Sequence, residues 1–182
     1  GQKSYAPQAS EALANQHHFT DAYDCVRGVF NSGYEALEGD VAHHRIVCYV
    51  RDRYWVVLDR IVSDRPRTLS ALWRYHPDCT VAMDAGTVLS TDAEAGNIRI
   101  VPFGPVDWEV SLVKGQEDPI QGWYSPVYNT KTPNTVAVFD ASVEHEVIFG
   151  WLMLPGRGLL PHASATLNLD AHPMAEIMVQ IE

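Results

Sequence analysis

The chain has 182 residues and a formal charge of −10, with 13 Lys and Arg against 23 Asp and Glu. Such a length buries a sizeable core without staples, and 46% hydrophobic with 20% charged residues is a globular balance. The acidic excess, with no basic stripe to displace phosphate counterions, excludes non-specific nucleic-acid binding, and no apolar run is long enough to span a membrane.

Residues 1–22 are polar and irregular, with a helix-compatible piece, SEALANQ, before His17-His18-Phe19. The segment 24–37 mixes β-formers with Gly28 and Gly33 and reads as one or two short strands. The stretch 41–61, VAHHRIVCYVRDRYWVVLDRI, places two β-branched and aromatic runs on either side of Arg51-Asp52-Arg53. That pattern predicts a hairpin, and its two-sided apolarity predicts a central hairpin covered on both faces. Asp64-Arg65-Pro66-Arg67 is a turn. In 68–76, TLSALWRYH, alternation sets Leu69, Ala71, Trp73 and Tyr75 on one face of a strand. Short strands follow at 80–83, 87–91, 97–102 and 107–114, and 119–134 is a long Pro-, Asn- and aromatic-rich loop. The segments 135–140 and 146–154 form a hairpin, Pro155-Gly156-Arg157-Gly158 is a turn, 159–173 is ambiguous, and 176–181 is a final strand.

Ten to twelve short strands at hairpin spacing, with no long helix, predict one all-β domain over 1–182. Its architecture is an antiparallel, jelly-roll-like β-sandwich with 1–23 as a lead-in. Cys25, Cys48 and Cys79 are too few and too dispersed for a disulfide framework or a zinc ribbon; three buried thiols are expected rather than one disulfide and a free thiol. The chain opens Gly-Gln-Lys without Met or signal peptide, as a piece trimmed from a longer protein would.

The polar residues of the hairpin demand partners if buried. His43 or His44, Asp59 and His76 are the candidates for a two-His, one-carboxylate metal site, but they lack the tight spacing of a metal motif. The structural alternative depends on the hairpin loop. A three-residue loop sets Arg45 directly opposite Asp59, whereas a two-residue loop sets His44 there. An Arg–carboxylate pair at that place contributes about 0.2–1 kcal/mol if exposed, and costs roughly 3–5 kcal/mol to break if buried.

His17, His18, His145, His162 and His172 fall in polar loops, and no nucleophile elbow, P-loop or dinucleotide fingerprint occurs. The loop Gly122-Trp123-Tyr124-Ser125-Pro126-Val127-Tyr128 carries flat aromatics suited to stacking on sugar rings, with Asn129 and Lys131 as hydrogen-bonding partners. Trp123, Tyr124, Tyr128 and Lys131 are therefore the carbohydrate-binding candidates. The competing reading packs the same aromatics on the sheet edge.

Taken in order, SGYEALEGDVAHHRIVCYVRDRYWVVLDRI, LWRYHPDCTV, GWYSPVYNTKTPNTVAVF and the strand ending WLMLPG resemble the C-terminal β-sandwich of heparinase II/III-like polysaccharide lyases, alginate lyases included. The resemblance spans about 24–156. It implies a bacterial parent, periplasmic or exported, in which an α/α toroid precedes the sandwich and the active site lies in the cleft between them. Such lyases abstract the C5 proton of a uronic acid and β-eliminate the 4-linked sugar, with Tyr and His as acid and base. Their metal-binding His and Asp belong to an HNHND-type segment, absent here and expected upstream of Gly1. The resemblance therefore implies a cleft-lining structural piece with no catalytic residue, metal or cofactor of its own. Its partners would be the upstream toroid and, through the parent, an acidic polysaccharide. Two alternatives stand beside this: a free-standing carbohydrate-binding module using the aromatic loop, and a metal-dependent enzyme of sandwich or cupin type.

Overall fold

The computed structural model describes residues 15–31, 37–169 and 176–182. Its strands, in chain order, begin with β1 (Gln16–Phe19), β2 (Tyr23–Phe30), β3 (Val41–Val50), β4 (Tyr54–Ser63) and β5 (Arg67–Arg74). Next come β6 (Val81–Asp84), β7 (Thr87–Ser90), β8 (Gly96–Phe103) and β9 (Glu109–Lys114). Four two-residue strands follow: β10 (Gln116–Glu117), β11 (Ile120–Gln121), β12 (Trp123–Tyr124) and β13 (Thr132–Pro133). The last are β14 (Thr135–Val143), β15 (Glu146–Arg157), β16 (Ala163–Asn168) and β17 (Glu176–Ile181). These seventeen exceed the ten to twelve expected, partly because the loop 119–134 contains three short rungs. No helix occurs among the described residues, so none is long enough to cross a membrane.

Every pairing is antiparallel, and the order in the large sheet is β1-β2-β3-β4-β15-β8-β7-β6. A three-stranded sheet, β5-β14-β9, covers one face of it, and the β16–β17 hairpin covers the other. This layering explains why β4 is apolar on both sides. Val57 and Ile61 join Phe139, Phe149 and Trp151 in the core beneath the small sheet. Val56, one position out of phase, packs with Val101, Phe103 and Leu152 against Ala165, Leu167, Ile177 and Val179 of the hairpin. Alternation along β5 does the matching work from above, with Leu69, Ala71 and Trp73 inward. In β15, Gly150 lies opposite Phe103, and a Cβ there would collide with the phenyl ring.

The β3–β4 hairpin closes through the three residues 51–53, with Val50 opposite Tyr54 and Asp52 in the left-handed region at φ 58°. Three expectations change, and one stretch left open is settled. Cys25 and Cys48 are direct cross-strand neighbours and form a disulfide, leaving Cys79 as the free thiol. Within the lead-in, Gln16–Phe19 is a strand paired with β2, while most of the SEALANQ piece lies outside the described residues. The Pro155-Gly156-Arg157 turn is strand instead: pairing with β4 ends at Met153 while pairing with β8 continues to Arg157. Pro155 thus sits where β15 has one neighbour, the position at which a missing N–H is tolerated. Lastly, 163–168 of the ambiguous stretch is a strand that closes the second core.

Candidate functional site

Asp59 is the polar centre of the molecule. It lies mid-β4 on the face beneath the small sheet, only 1% exposed. The three-residue loop fixes the register, so Arg45 stands directly opposite. Arg45 Nε donates to Oδ1 at 2.7 Å and Nη2 donates to Oδ2 at 2.9 Å, a bidentate clamp. His43, two residues back and therefore on the same face, meets Oδ1 through Nε2 at 2.6 Å. On the other flank Trp151 of β15 donates Nε1–H to Oδ2 at 3.0 Å. Each carboxylate oxygen thus takes two contacts, so this buried anion is well satisfied. Burial pushes the Asp59 carboxyl up, but the hydrogen bonds from His43 and Arg45 and the charge of Arg45 outweigh it and hold the group below its ordinary value. As a carboxylate Asp59 only accepts, so His43 Nε2 carries the proton and Nδ1 is the ring's other functional atom.

A cleft of about 270 Å³ opens beside this cluster, between β3–β4 and the edge of β5. Among the described lining residues, Arg45, Asp59 and Arg67 supply its charge and His43 a further polar group, while Ile61, Leu69, Trp108 and Phe149 supply apolar wall. The floor is rigid. Trp151 packs at 4.9 to 5.8 Å from Phe139, Trp108, Trp73 and Phe149, within the range at which aromatic pairs attract.

The other candidates fall elsewhere. His44 does not meet Asp59: the loop length sets it on the opposite face, across from Arg60, with Nδ1 buried and unpartnered. Burial and the charge of Arg60 push its imidazole down. His76 lies against Tyr124 at 5.5 Å between ring centroids, with Nδ1 3.4 Å from Asp78. His43, Asp59 and His76 therefore do not converge, and no group of three His, Cys, Asp or Glu able to hold a metal ion forms among the described residues.

In the aromatic loop, Trp123 donates Nε1–H to the Gln116 carbonyl at 2.8 Å, and its ring lies under Lys131 Nζ at 3.9 Å. Lys131 in turn pairs with Glu117 at 3.1 Å. The ammonium thus occupies one face of the platform expected for sugar. Tyr128, 99% exposed, stands clear, and Tyr124 is partly exposed against His76.

Two features escaped the sequence. Trp151 lies 92 positions from Asp59, so no local signal ties them. Arg99, 3% exposed, donates Nη1 to Asp84 and Thr87, both at 2.9 Å. An arginine within the apolar alternation of 98–103 was the available hint of a buried partner.

Comparison with known proteins accords with this architecture. Residues 2–166 match the family model "Heparinase II/III-like, C-terminal". Among solved structures, a heparinase III gene product aligns at TM-score 0.71 and 16% identity, over 92% of this chain and 26% of its own. A mutant of the heparan sulfate lyase HepC from Pedobacter heparinus aligns at 0.72 and 18%, over 92% and 27%. A further heparinase III aligns at 0.70 and 17%, over 93% and 26%. At these identities the likeness is one of fold, and the chain spans about a quarter of the length of those proteins. A search of curated proteins returned no match. With the family model matched over nearly its whole length, this chain belongs to the heparinase II/III-like C-terminal family.

Proposed function

We propose that this chain is the C-terminal β-sandwich of a polysaccharide lyase that cleaves uronic-acid-containing polysaccharide by β-elimination. Its role there is to wall one side of the substrate cleft and support an upstream α/α toroid, without supplying the acid–base residues or a cofactor. The observation that carries this reading is the family match over 2–166, in a fold shared with lyase chains about four times longer. The polar cluster supports it: Asp59 is committed to Arg45, His43 and Trp151, the arrangement of a structural anion rather than a reacting one. The Cys25–Cys48 disulfide supports a periplasmic or exported parent, because such bonds persist in oxidising compartments.

The test compares the full-length parent with the 182-residue chain on uronate-containing polysaccharides, following the ultraviolet absorbance of unsaturated ends. Turnover by the parent and none by the chain is expected. Strong turnover by the chain alone overturns the reading. A carbohydrate-binding surface in the aromatic loop is the second reading, favoured by the exposure of Tyr128. Loss of glycan retention in Tyr128→Ala, with melting temperature unchanged, would support it.

A further inference from the structure

Every other strand of the large sheet lends a residue to one of the two cores, from Val41 and Val47 of β3 to Val81 of β6, whereas β1 and β2 lend none. We infer that the Cys25–Cys48 disulfide is a redox clasp on this ribbon: reduced, it lets β1–β2 come away from β3 while both cores stay folded, and oxidation closes it again. The inference goes beyond the lyase reading and does not depend on it.

The ribbon's own apolar residues do little to hold it, since Phe19, Tyr23 and Val26 are exposed. At its turn end, Arg51 donates to the Thr20 carbonyl at 2.9 Å and to Asp24 at 2.7 Å, an exposed pair that water and salt weaken. A backbone ladder joins residues 23–30 to β3, and within it Cys25 stands directly opposite Cys48. Cys48 packs against the second core and Cys25 against neither, so the bond couples the ribbon to the packed interior. Both residues are half-buried, within reach of a small thiol. The two lie 23 positions apart, and closing a loop of that size restricts the open state, favouring the docked ribbon on the order of a hundredfold. Closure forms the S–S bond as the two thiols give two electrons and two protons to a disulfide oxidant, which leaves as two thiols. Opening is the reverse, by exchange with a dithiol that ends as its own disulfide. The clasp also decides which strand forms the sheet edge. Closed, the edge is the four-residue β1, and a short edge resists pairing with other chains. Open, it is the ten-residue β3, with Ile46, Val47 and Val50 among its apolar residues.

The experiment follows amide hydrogen exchange of the 182-residue chain with and without dithiothreitol, the dithiol used as reductant. On reduction, amides of β2 should exchange about a hundredfold faster while those of β14 and β15 keep their protection. Iodoacetamide added to the reduced chain should modify Cys25 and Cys48 about tenfold or more faster than Cys79, which packs against the first core. Cys25→Val/Cys48→Val keeps an apolar pair at the same place without the bond. Its β2 amides should exchange like those of the reduced chain, in oxidising and reducing buffer alike. Unchanged β2 exchange on reduction overturns the clasp, as does a valine pair that protects the ribbon as well as the disulfide does. So does equal acceleration in β14 and β15, or Cys79 reacting as fast as the other two thiols, since the whole fold rather than the ribbon would then have opened.

Discussion

Two arginine–carboxylate pairs of the large sheet each bury one partner, and they are built in opposite senses. In one the anion is buried and the cation half in water: the side chains of Asp59 and Arg45 are 2% and 46% exposed. In the other the cation is buried: those of Arg99 and Asp84 are 4% and 39% exposed. A buried carboxylate only accepts, so a few donors from neighbouring strands satisfy it, and Arg45, His43 and Trp151 do so. A buried guanidinium carries five donors in a rigid fork, and Arg99 places Nη1 on Asp84 and Thr87 while Nε finds no partner. The first pair is therefore expected to stabilise the fold and the second to contribute little.

Removing the buried anion should have the largest effect. Asp59→Ala leaves the indole N–H of Trp151, itself 0% exposed, without an acceptor and opens a void beneath the small sheet. A loss of about 3 kcal/mol or more in chemical denaturation is expected. Asp59→Asn should not rescue it, because the new amide N–H₂ would face donors at whichever oxygen it replaced. A loss under about 1 kcal/mol for Asp59→Ala would show that the cluster is incidental. Trp151→Phe removes one of the four contacts and part of an indole, so a smaller loss of about 1–2 kcal/mol is expected. An equal loss from both variants would mean that aromatic packing, not the carboxylate, dominates the site.

The same comparison predicts a pH dependence. The folded-state pKa of Asp59 lies below its ordinary 3.8, so in the window between the two values the unfolded chain binds more protons. Stability therefore rises with pH there: the contribution is fully present above about 3.8 and is lost as pH falls through the folded value. Denaturation midpoints measured at descending pH should drop more steeply for the native chain than for Asp59→Ala in that acid window. Parallel acid limbs would remove Asp59 from the account.

Much of this was legible before the structure, for reasons that can be assigned. The β5 alternation and the two-sided apolarity of β4 follow from the period of two and from burial on both faces, both local properties. The opposition of Arg45 and Asp59 turned on the loop length alone, which the sequence left at two or three residues and the structure sets at three. What escaped depends on separations that pattern cannot measure. Cys25 and Cys48 become neighbours only once β2 and β3 have a register, which no local pattern in either strand sets. Lys131 caps Trp123 because β12 and β13 pair, bringing residues eight apart in sequence onto one another. Pro155 and Gly156 look like a turn until the early end of β4 frees one side of β15.

The smallest expected effect decides the comparison most sharply. Arg99 shares the strand face of Val101 and Phe103, which packs toward the β16–β17 hairpin. Methionine there preserves much of the volume and length of the arginine stem while removing both the charge and the orphaned Nε. Its former partner loses little, since Asp84 is partly exposed and water can take the arginine's place. Replacing a buried ion with an apolar residue of similar size is often neutral or stabilising, so Arg99→Met should change stability by no more than about 1 kcal/mol in either direction. Thermal or urea melts of Arg99→Met and Asp59→Ala in parallel give the contrast directly. A loss of about 3 kcal/mol for Arg99→Met would mean that a buried cation with an unmet donor stabilises this fold as strongly as a fully met anion. The difference between the two pairs would then lie in their partners' geometry rather than in which charge is buried.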